Sequence, residues 1–243
     1  MKVDELKLLS GVDIEVSPNI VIHHPKLSEI RDMGESEYYG LVTAICSTPS
    51  DYKSILYDQF GIDYEEVSEF EFFLMMWSTF GDKDISILFP GKHASDFQIV
   101  QDTETGLLLL RDEETGEFIN EVIYASLVEY IREFHGLKKR VDKAGNESTK
   151  RYLIKKARKE LERRKKDEPE AILAPLVSAM VNCEQFKYNH QTVWDLTIYQ
   201  FMDSVRRIQK IKNVSDIMTG IYTGNIDGKK LPDDTLNWLG KLK

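Results

Sequence analysis

Ser68-Glu69-Phe70-Glu71-Phe72-Phe73-Leu74-Met75-Met76-Trp77 is the stretch on which the reading of the fold turns. Ser68 with Glu71 three residues later is a capping-box pattern. Hydroxyl and carboxylate there take backbone N–H groups that no helical carbonyl can reach. The residues that follow are apolar nearly all round, so this helix has no face to offer to water and belongs at the centre of its domain. The apolar window from Phe70 to Phe80 is about half of the roughly 20 residues that cross a bilayer, which argues against a membrane span.

Upstream, Val12-Asp13-Ile14-Glu15-Val16 alternates apolar with acidic residues, Ser17-Pro18-Asn19 turns, and Ile20-Val21-Ile22-His23 follows. That is a β-hairpin with one buried face. Ser28 is placed to cap a short helix, Gly34 breaks it, and a longer helix runs from Glu35 to Ser47. Thr48-Pro49-Ser50-Asp51 restarts the chain, with Ser50 or Asp51 as cap for a helix carrying Ile55, Leu56 and Phe60. Downstream the period changes. Phe97 to Gln101, Leu107 to Leu110 and Phe118-Ile119, separated by Thr105-Gly106 and Glu114-Thr115-Gly116, form a short β-meander. Leu107 to Leu110 is a strand buried on both faces or an edge that a partner covers. A helix from about Glu121 to His135 then turns Val122, Tyr124, Leu127, Val128, Ile131 and Phe134 inward, with Gly136 as its C-cap.

Composition supports a packed interior: 42% of the 243 residues are hydrophobic and 10% aromatic. The net charge of −9 is unevenly spread. Residues 1–137 carry −18, residues 138–168 carry +8 and residues 169–243 carry +1. The basic middle favours a helix from Ser148 to Lys166 but is thin in apolar residues: a solvated linker helix, or one docked along a narrow stripe. Three regions follow. They are an acidic α+β domain over 1–137, a basic linker helix over 138–168 and a helical region over 169–243. In the last, Ala171 to Val181 is an apolar helix, and from Thr197 a long amphipathic one carries Ile198, Phe201, Met202, Val205, Ile208 and Ile211. Gly220 and Gly224 break that pattern. The fold class is α+β, mostly helical.

No constellation has the spacing that catalysis or metal binding requires. Neighbouring side chains on a strand point to opposite faces, so His23 and His24 cannot share an ion; one is expected packed and the other exposed. Asp102-Thr103-Glu104-Thr105-Gly106 and Asp112 to Gly116 lack calcium-loop spacing and read as turns. Phosphate-loop, dinucleotide and nucleophile-elbow glycine patterns are absent from the sequence. Cys46 and Cys183 read as small buried hydrophobes in a reducing compartment. The expectation is a soluble non-enzyme with no cofactor or metal and no secretory signal.

The remaining candidates are binding residues. Phe201, Ile208 and Trp238 offer apolar contact, and Arg206, Arg207 and Lys210 basic contact. Lys138, Lys139, Arg140, Arg163, Arg164, Lys165 and Lys166 could meet phosphates or an acidic protein surface, the chain's own first half included. Aromatics are not interleaved with these cations as a single-strand platform needs, so nucleic acid is the alternative partner. The charge asymmetry also allows a homo-oligomer.

The order of segments resembles proteins from the tail-gene modules of phages infecting Gram-positive bacteria. The stretches that carry it are IHHPKLSEI (22–30), KAGNESTK (143–150), SVRRIQKIK (204–212) and TGNID (223–227). The first is similar to the opening of some tail assembly chaperones, where a hairpin leads into a helix start. The resemblance implies a protein without catalytic residues that shields the tape-measure protein or other tail components, such as the tail tube. It would act in the host cytoplasm or in the virion.

Overall fold

The computed structural model describes residues 3–18, 20–103, 105–166 and 171–242. In chain order these form α1 (Glu5–Ser10), β1 (Ile14–Ser17), β2 (Ile20–Ile22), α2 (Leu27–Met33), α3 (Glu35–Cys46), α4 (Lys53–Phe60) and α5 (Glu69–Trp77). There follow β3 (Phe97–Gln101), β4 (Leu108–Asp112), β5 (Phe118–Ile119), α6 (Glu121–His135), α7 (Glu147–Arg164), α8 (Leu173–Val181) and α9 (Ile198–Tyr222). The fold is α+β and mostly helical.

α5 explains its own composition. Ser68 Oγ accepts from the Glu71 N–H and the Glu71 carboxylate from the Ser68 N–H, so the capping box is formed. Phe70, Phe73, Leu74 and Trp77 enter the main core, where Phe73 stacks on Tyr124 with ring centroids 4.3 Å apart. Phe72 points into a second cluster with Leu56, Tyr64 and Ile154. The helix is apolar on both sides because it is the wall between two cores.

β1 and β2 pair antiparallel with Ile14 opposite Ile22, and both are buried. The other sheet has the order β3-β4-β5, with Ile99 opposite Leu110 and Leu110 opposite Ile119. Leu109 and Leu110 are buried, whereas Leu107 and Leu108 are exposed beside the turn. The central strand is thus covered at one end only.

α7 docks on α4 rather than standing free. Ile154 supplies its buried contact, and Ile-sized burial contributes on the order of 1.5–3 kcal/mol. Lys150 pairs with Asp63 at 2.6 Å and Glu65 at 2.8 Å, and Arg158 forks onto Asp58. The Arg158 pair is exposed and adds little, the Lys150 pairs are partly shielded, and together they set the helix's rotation. α8 and α9 join the main core through Leu173, Val177, Met180, Ile198, Tyr199 and Phe201.

Several local expectations are corrected. Ser28 lies inside α2, whose first turn is closed by the Glu29 carboxylate accepting from Lys26 N–H at 2.7 Å. Ser50 and Asp51 do not cap α4, whose N-cap is Tyr52 with no side-chain cap. Val122 is exposed on the first turn of α6, where helix rotation turns it away from the core. Cys183 is half-buried, not buried like Cys46. Gly220 does not end α9. Any Cβ there would sit 2.6 Å from Ile226, whose backbone folds back to donate to Gly220 O.

Candidate functional site

Three features are available for binding: the C-terminal segment on α9, the outward face of α7, and a groove beside α7. Segment 223–242 folds back along α9. Arg207 donates to the carbonyls of Trp238 at 2.7 Å and Gly240 at 2.9 Å, and Lys210 reaches those of Gly240 and Lys241. Lys241 pairs with Glu5 on α1. The segment is therefore held by charge-assisted bonds to its backbone, which leaves Trp238 and Leu239 open to water. Tyr222 is 80% exposed, Trp238 47% and Leu239 73%.

The expected contact residues separate accordingly. Trp238 is at the surface. Phe201 is fully buried, edge-on to Phe186, and is core rather than contact surface because α9 turns it toward α6. Ile208 is partly buried against the same core. Arg206 bonds back to Met202 O at 3.2 Å. Arg207 and Lys210 are the hooks under the C-terminal segment, so their role here is internal.

The basic segment divides too. Lys139 pairs with Glu69, which also holds the buried Arg132; Arg140 bonds Asp142 at 2.9 Å. Lys53, 1% exposed, pairs with Asp142. Burial alone would raise the Asp142 pKa, but Lys53 and Arg140 hold that carboxyl below the usual carboxylate range. On α7, about 100° per residue puts Tyr152, Lys156, Lys159 and Arg163 opposite Ile154. These cations are exposed and form no ion pair among the described residues. Lys165 and Lys166 are exposed just past the end of the helix.

The groove, about 330 Å³, lies between the first turn of α4, the chain after α6 and the flank of α7. Ser54, Lys138, Arg140 and Arg164 line it, with Asp51 and Glu160. Sequence reasoning reached three of these cations but missed Ser54 and the Lys53–Asp142 pair. A lone Ser or Lys in a helical stretch carries no spacing signal.

His24 is buried, as one of the histidine pair was expected to be, and its ring stands edge-on to Phe134 at 4.0 Å. His23 is half-buried rather than exposed, between Asp13 at 2.8 Å and Glu29 at 3.0 Å. No group of three or more His, Cys, Asp or Glu side chains among the described residues is placed to hold a metal ion. No helix among them is long and apolar enough to cross a membrane.

Residues 164–243 match the family model described as YomV second domain. This is a phage-type family, and the match runs through α8, α9 and the C-terminal segment. The YomV-like segment is about one third of the chain and contains Trp238, Leu239 and both hooks beneath them. No curated protein and no solved structure matches the chain.

Proposed function

We propose that the chain is a non-enzymatic phage protein that works by binding other proteins, as a tail-assembly chaperone or a structural tail component. The observation that carries this reading is the YomV-like segment's exposed apolar group on a fixed backbone. Trp238, about half exposed, and Leu239, mostly exposed, face water although Arg207, Lys210 and Lys241 anchor the chain around them. Uncovered apolar side chains on an anchored segment suit a partner surface, and tryptophan is enriched where binding energy concentrates. Tape-measure and tail-tube proteins are the partners this reading names.

The test is recovery from cells that co-express the tagged chain with the tail proteins of its phage. A tail protein is expected to co-purify. A Trp238→Ser/Leu239→Ser variant should bind it roughly thirtyfold more weakly, the equivalent of about 2 kcal/mol, with an unchanged melting transition. Recovery of no tail protein overturns the reading. Nucleic-acid binding through the outward face of α7 separates in the same experiment. Recovery would then be abolished by nuclease and by Lys159→Glu/Arg163→Glu, and not by the Trp238 variant.

A further inference from the structure

We infer that the groove between α4 and α7 is a binding site for a phosphoryl anion. The inference is independent of the protein-binding reading, which uses the opposite end of the chain. Its base is the first turn of α4, an eight-residue helix with no side-chain cap. The Lys53 and Ser54 N–H groups have no hydrogen-bond partner among the described residues, and helix N-termini carry partial positive charge. The Ser54 side chain is 5% exposed and its hydroxyl has no partner among them either. That oxygen is not among the sealed, partnerless polar atoms, so it opens onto the groove whose wall Ser54 forms.

Cations complete the site from two further directions. Lys138 and Arg164 are exposed at the rim and form no ion pair among the described residues, while Arg140 shares its guanidinium between Asp142 and Asp51. Arg132 lies beneath, committed to Cys46 O and Glu69. Of the two acids in the lining, Asp51 is occupied by the Thr48 N–H at 2.9 Å, and Glu160 is half-buried on the α7 flank. Donors converging from a helix end, a loop and a neighbouring helix suit a tetrahedral anion. A planar carboxylate takes its donors mainly from two sides. The volume lies at the small end of the roughly 300–1,000 Å³ of ligand pockets.

Titrating the isotopically labelled full chain with inorganic phosphate, and separately with a nucleoside monophosphate and acetate, tests the site by amide chemical shifts. Saturable shifts at Ser54, Ile55 and residues 138–140 are expected with phosphate. Comparable affinity for the monophosphate assigns the phosphoryl group alone as the ligand; tighter binding assigns a phosphorylated small molecule. Ser54→Ala and Arg164→Gln should each weaken binding at least fivefold, and Lys159→Glu, on the outward face of α7, should leave it within twofold. Absence of saturable shifts, equal saturation by acetate, or a loss with Lys159→Glu matching that with Arg164→Gln would each overturn the assignment.

Discussion

His24 is buried with neither ring nitrogen hydrogen-bonded to the protein, and burial lowers its pKa to about 4. His135 is lowered to about 4 as well, chiefly by burial. Its Nδ1 faces Ile131 O at 2.6 Å and so carries the proton, while Nε2 accepts from the Tyr38 hydroxyl. Both are neutral in the fold. As pH falls from about 6.5 to about 4 the unfolded chain binds protons that the folded one refuses, and stability is lost over that window. His23 acts in the opposite sense. Burial alone would lower its pKa, but Glu29 and Asp13 outweigh burial and raise it, so its contribution is full below about 6.5 and fades as pH rises through its raised value. Asp13 also accepts the His24 N–H at 3.1 Å. His24→Leu keeps an apolar body of similar size and removes the orphaned nitrogens. It should be neutral or slightly stabilising at pH 7 and gain about 2 kcal/mol relative to wild type at pH 5. Urea unfolding at the two pH values measures this; an equal effect at both would refute it. His23 and His24 lie just past the end of β2, so strand alternation does not govern how their rings part. Nor could it place Asp13 and Glu29 around His23, since those contacts come from the hairpin packing on α2.

At the scale of elements, the Thr48 to Asp51 turn reads as a helix cap yet serves as a clamp on a distant stretch. Ser50 Oγ accepts from the Asp142 N–H at 3.0 Å, the Thr48 hydroxyl donates to Arg140 O at 2.8 Å, and the buried Lys53 ammonium pairs with Asp142. Such bonds span about ninety residues, so local propensity has no access to them. The capping box of α5 and the glycine end of α6 were legible because their partners lie within a few residues. Removing one member of a buried ion pair leaves the other charge stranded. Asp142→Asn should therefore cost about 3 kcal/mol and raise hydrogen exchange across residues 140–144. Adding Lys53→Met should recover most of that loss, because the stranded ammonium goes with it. A single-variant cost below about 1 kcal/mol would mean that the Lys53 ammonium finds water, and the clamp would be weaker than its burial implies.

For the whole molecule, the charge asymmetry of the sequence resolves partly inside the chain: Lys139, Lys150 and Arg158 meet Glu69, Asp63, Glu65 and Asp58 of the acidic first half. The YomV-like segment is bound still more closely to that half. Leu27 N–H donates to Leu196 O at 2.9 Å and Ile198 N–H to Pro25 O at 2.8 Å. α8 has no cap of its own, and the Glu35 carboxylate accepts the Ile172 and Leu173 N–H groups instead. Arg31 sits 5.2 Å from the centre of the Trp194 ring, and Phe201 belongs to the same core as Leu8, Ile22 and Phe134. A piece of about 80 residues buries little surface by itself, and this one would lose its cap and the far wall of its core. Residues 164–243 expressed alone should thus lack a cooperative thermal transition and bind a hydrophobic dye, whereas the full chain melts in one step. Adding residues 1–163 in trans should restore helical signal. A sharp transition of the isolated segment within a few degrees of the full chain would show a self-sufficient domain, and the shared core would then be docking between two finished units.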